Sequence, residues 1–237
     1  MSDLVAMARI GLAFAMGMML VCIEAAAQGR ASEVNLPAMK PGAPPDDFKF
    51  ERTGQGTPGQ WIVVSEPTAA HGIAIAQVSQ DRADYRFPLA IYQPVSHRNV
   101  DVVVRFKPVG GSVDQAGGIA VRLASPDDYY IARANALEDN LRFYRVVKGR
   151  REQLEGVNVK VASNQWHTLG LRAEGDRFTV SFDGKPLFTA EDKTFATPGK
   201  IALRTKADSV THFDAISLTP LECPAVPVVS YGEQNDR

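Results

Sequence analysis

An all-β fold, a two-sheet antiparallel jelly-roll sandwich, is what the sequence predicts, and three observations predict it. Apolar residues recur with a period of two far more often than 3.6. Turn signals interrupt these runs at short intervals: Pro108-Val109-Gly110-Gly111, Ser125-Pro126-Asp127-Asp128, Glu174-Gly175-Asp176 and Asp183-Gly184. No stretch of the chain carries a long amphipathic helical pattern. Many short strands with almost no helix pack as two stacked sheets.

The elements follow in order. At the start, Arg9 precedes an apolar run from Ile10 to Ile23 and then Ala25-Ala26-Ala27. A basic residue, an apolar core and small residues form the pattern of a cleaved secretory signal over residues 1–27. That run is short for a membrane span of about 20 residues, and an uncleaved signal anchor is the alternative, since Asp3 is unusual before such a run. The reading places the mature chain in the periplasm or outside the cell, with no membrane attachment after cleavage. Residues 28–47, rich in Pro, Gly and Ala, read as a flexible linker, and residues 222–237 as a disordered tail. The domain between, 48–221, is long enough to bury a core without disulfides. Only Cys223 survives cleavage, so no internal disulfide is expected.

The full chain carries 26 Lys and Arg against 27 Asp and Glu, and cleavage removes Arg9, Asp3 and Glu24. A near-neutral protein offers no general electrostatic attraction to nucleic acid or an anionic membrane.

Strands are predicted at Trp61 to Val64, Ile73 to Val78, Val100 to Phe106 and Gly118 to Leu123. Others follow at Trp166 to Arg172, Phe178 to Phe182, Lys200 to Arg204 and Phe213 to Leu218. Phe178, Val180 and Phe182 share one face before Asp183-Gly184, which suits a two-residue type I′ hairpin turn. The central hairpin, Tyr129 to Arg151, organises the remainder. With Ala136 to Leu141 as its connection, Asn135 lies opposite Arg142 and Arg133 opposite Tyr144. A tighter turn instead sets Asn135 against Phe143 and Arg133 against Arg145, on inverted faces. In the first register, Arg133, Asn135, Arg142 and Tyr144 share a face.

Guanidinium and amide groups supply planar donors for sugar hydroxyls or carboxylates, and an aromatic ring covers a pyranose. These residues are therefore candidates for a carbohydrate-binding face, with Arg122 and Arg204 extending it by alternation and Glu138 at the hairpin tip. The same side chains would serve equally as the solvated face of an antiparallel sheet. Trp61 and Trp166 read as packing residues. His167 and His212 stand alone, without the spacing of a metal motif. Asp127, Asp128, Asp208 and Asp214 offer oxygen ligands for calcium or another divalent metal, and equally form turns.

The words GGIAVRLASPDDYYIARANALEDNLRFYRVVKGRR, QWHTLGLRAEGDRFTVSFDGKPLF and GKIALRTKADSVTHFD resemble the bacterial secreted concanavalin A-like sandwiches. They are closest to the 3-keto-disaccharide hydrolase domain family, itself similar to laminin G-type modules. The resemblance covers roughly Trp61 to Leu218. It implies a carbohydrate-binding protein or, alternatively, a hydrolase or lyase of 3-keto-glycosides, with a laminin G-like protein-interaction module as a third reading. In the hydrolase, His167, Glu138, Arg133 and Arg142 would supply a base and an oxyanion stabiliser. The chain lacks the E-x-D-x-x-E strand of laminarinase-type hydrolases, and Glu152-Gln153-Leu154-Glu155 does not reproduce it.

Overall fold

The computed structural model of the chain describes residues 29–221; the signal-like segment, the C-terminal tail and Cys223 lie outside them. In chain order the strands are β1 (Ser32–Glu33), β2 (Phe48–Gly54), β3 (Trp61–Ser65), β4 (Ile73–Gln77) and β5 (Arg86–His97). Then come β6 (Val100–Gly110), β7 (Ala116–Ser125), β8 (Asp128–Asn135), β9 (Asn140–Val147) and β10 (Arg150–Asn158). Last are β11 (His167–Glu174), β12 (Arg177–Phe182), β13 (Lys185–Glu191), β14 (Gly199–Arg204) and β15 (Val210–Pro220).

They form two antiparallel sheets. One runs β13-β12-β11-β6-β15-β4-β3, with β1 added against β15, and the other runs β10-β9-β8-β7-β14-β5-β2. The expected jelly-roll sandwich is the fold observed. Between the sheets lies the main core, where Tyr130 stacks on Phe143 at 5.8 Å and meets Phe178 at 4.4 Å. Lys148 and Gly149, and likewise Asp183 and Gly184, have positive φ. That is the signature of two-residue type I′ turns, which join β9 to β10 and β12 to β13.

Residues 29–47 are not a loose lead-in. Gly29 donates to the Pro220 carbonyl at 2.9 Å, Gly42 to Val63, and Val63 in turn to Ala43. Val34, Leu36 and Met39 are buried in the main core. The Pro-rich composition suggested flexibility, but β1 adds to the central strand β15 and three apolar side chains of the segment enter the core.

The outer face of the eight-stranded sheet carries an ion-pair network. Glu66 accepts from Thr68 Oγ1 at 2.6 Å, from Lys107 Nζ at 3.1 Å and pairs with His212 Nδ1 at 3.0 Å. Trp166 bonds Thr68 Oγ1 through Nε1, and the Arg105 guanidinium lies 4.8 Å above its ring. The Thr68 hydroxyl, with Lys107, the Thr68 amide and His212, holds the Glu66 carboxyl down at about 2, against the opposing push of burial. Burial drives the His212 imidazole below its usual 6.5, more than Glu66 raises it. Both groups bind protons more readily unfolded than folded, so both stabilise the fold at high pH and lose that contribution on acidification. Stability is expected to begin falling as pH drops through 6.5 and to fall further between 4.5 and about 2. Urea midpoints measured across this range check it. In a Glu66→Gln variant the lower limb of the profile should flatten, and an unchanged limb would refute this assignment.

Candidate functional site

The outer face of the seven-stranded sheet holds most of the predicted site residues. Register across it places Arg204 of β14 opposite Gly118 of β7, Gly118 opposite Arg133 of β8, and Arg133 opposite Arg142 of β9. A row of guanidinium groups thus crosses four strands, with a glycine gap between the first two. Ile131 lies opposite Tyr144, and Asn135 opposite Asn140. The connection is Ala136 to Asp139, two residues shorter than the preferred expectation. Asn135 Oδ1 accepts from the amides of Leu137 and Glu138, tightening the turn. A slip of two keeps every side chain on its face, so Arg133, Asn135, Arg142 and Tyr144 do share one. The alternative, inverted register does not occur.

This face is curved until it meets itself. Four strand spacings separate β2 from β8, about 19 Å in a flat sheet, yet Thr53 Oγ1 lies 2.7 Å from the Tyr129 hydroxyl. Thr53 also donates to the Pro126 carbonyl, and the Tyr85 hydroxyl donates to the Gly149 carbonyl at 2.8 Å. Gly54 makes the closure possible: its φ is +81°, and a Cβ there would sit 2.1 Å from the Tyr85 carbonyl oxygen. A second apolar cluster forms inside the curve, including Leu89, Ile91, Tyr129, Ile131 and Tyr144. The face expected to be open to solvent is largely a second core.

The arginines inside it are held accordingly. Arg133 is 6% exposed and donates to Asn140 Oδ1 and Glu138 Oε2, both at 2.7 Å. Burial opposes its charge, but Tyr144, Glu138 and Asp114 together raise its pKa. Asn135 bonds Asp114, which pairs with Lys206 at 2.9 Å. Arg142 is pinned to the Val157 carbonyl and to Asn158. Arg204 is 2% exposed, with its guanidinium 4.0 Å over Phe87 and 5.9 Å from Tyr129. Its Nε and Nη2 are buried without an acceptor, and burial followed by the charges of Arg151 and Arg133 lowers its pKa. Arg151 stacks on Tyr144 at 4.6 Å and on Phe87 at 5.0 Å.

Two predicted residues lie elsewhere. Arg122 has φ +50° in an irregular stretch of β7, which breaks the alternation that placed it beside Arg133. Its guanidinium bonds the carbonyls of Arg98, Phe195 and Gly175 and lies 4.9 Å over Phe178, tying the two sheets at one end. His167 belongs to the other sheet, bonded to Asp183 at 3.0 Å and stacked on Phe182. The base-and-oxyanion grouping with Glu138, Arg133 and Arg142 therefore does not assemble around it. The aspartates considered for a cation do not gather into one group, Asp127 and Asp128 being neighbours in the chain. Asp128 accepts from Ser125 and the Lys148 amide, and Asp208 from the amides of Ser112, Val113 and Asp114. Asp214 accepts from the Ala70 amide and Arg105. No three His, Cys, Asp or Glu side chains converge as a metal site among the described residues.

Two adjoining clefts lie at the closed end of the curve. One cleft of about 760 Å³ is lined by Arg145, Val147, Lys148, Arg150, Arg151 and Glu152. A second, of about 360 Å³, is lined by Arg52, Gly54, Tyr85, Asp127, Lys148, Gly149 and Arg150. They share Lys148 and Arg150, the residues flanking the β9–β10 turn glycine. Tyr85 is 39% exposed, its ring edge-on to Phe87 at 4.9 Å. Sequence reasoning missed this cleft, although Lys148-Gly149-Arg150-Arg151 marks its floor. Arg52 and Tyr85 join only through the closure of the sheet.

A curved, two-sheet sandwich with a polar cleft at its edge has the architecture of lectin-type jelly rolls. Residues 83–220, more than half the chain, match the family of galactocerebrosidase C-terminal lectin domains, and the chain belongs to that family. No curated protein sequence matches it. Among solved structures it is similar to the carbohydrate-binding module CBM66 from Bacillus subtilis, at a TM-score of 0.56 and 19% identity, covering 73% of this chain and 96% of that one. It is also similar to the Bacillus licheniformis β-glucanase, at a TM-score of 0.51 and 13% identity, covering 76% and 95%. These likenesses are of fold.

Proposed function

We propose that the chain is a secreted or periplasmic carbohydrate-binding protein that holds its glycan in the cleft at the β9–β10 turn. One observation carries the placement. Here an exposed tyrosine ring with Arg52 borders one cleft and Arg151 its neighbour, and Lys148 and Arg150 line both. An aromatic face and planar donors are the two elements sugar recognition uses. Of the residues first expected to touch sugar, Tyr144 and Arg204 lie behind it, sharing ring contacts with Arg151, while Arg142, Asn135 and Glu138 lie towards the far end of β9. The lectin family and the carbohydrate-binding module of like fold support the reading. A glycan array followed by titration of Tyr85→Leu tests it. Loss of roughly two- to tenfold in affinity is expected, taking the roughly 0.5–1.5 kcal/mol of an aromatic stacking contact as the scale. Unchanged affinity would remove the ligand from this cleft.

Hydrolysis of 3-keto-glycosides is the alternative implied by the sequence resemblance. The base it would call on, His167, lies on the other sheet, bonded to Asp183 and away from Glu138, Arg133 and Arg142. Release of product from a 3-keto-glucoside, lost in His167→Ala, would favour it.

A further inference from the structure

We propose that the ligand of this cleft is an anionic glycan, a chain bearing carboxylate or sulfate groups read by Lys148, Arg150 and Arg151; the inference rests on the cleft being the glycan site. The chain as a whole carries a net charge of −1. The two clefts nevertheless gather Arg52, Arg145, Lys148, Arg150 and Arg151 against only Asp127 and Glu152 among their lining residues. Positive charge is therefore concentrated here rather than spread over the surface.

The carboxylates that form ion pairs here are both spent on Arg145. Glu152 is committed to Arg145 at 2.8 Å, and Arg145 also binds Asp192 at 2.8 Å. Neither Lys148 nor Arg150 forms an ion pair with a described residue. Arg151 is held over Phe87 and Tyr144 while its Nη1 is buried without an acceptor. Behind it, Arg204 shares the Phe87 ring and leaves Nε and Nη2 unmet, with no carboxylate bonded to it. Buried guanidinium groups without counter-charge are costly, and a fixed anion entering the cleft relieves that cost. A neutral sugar offers only hydroxyls. A carboxylate or sulfate matches the fork of a guanidinium with two oxygens and is attracted over several ångströms by the cluster behind it.

The test is calorimetric titration of the full mature chain with three oligosaccharides of similar length: a polyuronate, a sulfated glycan and a neutral glucan. A single-stranded oligonucleotide serves as the phosphate control. The two acidic arms show which anion is preferred. Binding of at least one acidic glycan, about tenfold weaker between roughly 0.05 and 0.5 M salt, is expected. Arg150→Gln and Lys148→Asn, chosen because Asn tolerates the positive φ of Lys148, should each weaken it severalfold with unchanged melting temperature. Equal binding of the neutral glucan, still lost in Tyr85→Leu, would overturn the charge assignment and leave the cleft as the sugar site. Acidic glycan binding untouched by all three substitutions would overturn both. Equal affinity for the oligonucleotide would overturn the proposal in favour of unselective polyanion binding.

Discussion

Replacing Arg122 with methionine is expected to lower the melting temperature by roughly 6–12 °C and leave glycan affinity within about twofold. Arg122 is 1% exposed, and its guanidinium serves three carbonyl oxygens from separate loops, those of Arg98, Phe195 and Gly175. Methionine fills much of the volume but donates nothing, so buried carbonyls lose their partners at about 1–3 kcal/mol each where water does not replace them. A net loss of about 3 kcal/mol converts to that temperature shift for a domain of this size. Arg122→Lys should recover part of it, because one ammonium cannot span three diverging acceptors. Thermal unfolding and glycan titration of the same samples decide the matter. Weakened binding with an unchanged melting temperature would return Arg122 to the ligand-contacting role its sequence context suggested.

Phe178→Ala should cost still more, about 3–5 kcal/mol, as expected for removing a fully buried aromatic side chain. Its ring lies 4.4 Å from Tyr130, 5.0 Å from Phe143 and 4.9 Å beneath the Arg122 guanidinium. One side chain thus joins the inter-sheet core to the Arg122 tie. The two sites are consequently coupled: the double substitution of Arg122 and Phe178 should cost less than the two single costs together by about 0.5 kcal/mol or more. Strict additivity in urea denaturation would show that the cation and the ring act independently.

Much of the fold was legible because local chemistry and global packing agree. Asp183-Gly184 adopts the turn its residue types demand, and the Phe178, Val180, Phe182 alternation faces the core as read. The shared face of Arg133, Asn135, Arg142 and Tyr144 also survives, since the register error was two residues rather than one. What escaped has identifiable causes. Strand β5 contains Pro88 and Pro94, which argue against a strand interior. Pro88 is tolerated because β14 ends at Arg204, so the missing donor faces the strand's end, where Thr205 donates to the Pro88 carbonyl. Strand β10 is almost wholly polar and lies at the sheet edge.

The site was harder to read than the fold. Alternation assigns faces only while a strand stays regular, and the irregularity at Arg122 ends that assumption. It also cannot tell an open face from a curved one. The contact of Thr53 with Tyr129 joins residues that are 76 apart in sequence and four strands apart in the sheet. That contact turns an expected ligand surface into a second core and moves the accessible donors to its rim. The N-terminal strap shows the same limit, since its proline-rich composition hides three residues that complete the core.

The central claim is that glycan enters at the β9–β10 turn, where the curved sheet closes. The most direct measurement is a map of backbone amide shifts during titration with the glycan that binds best. The largest changes should fall on Gly54, Tyr85 and residues 148–151, with Trp166, Lys107 and His212 on the opposite sheet unmoved. Shifts concentrated on Trp166 and its neighbours, with the turn silent, would contradict it.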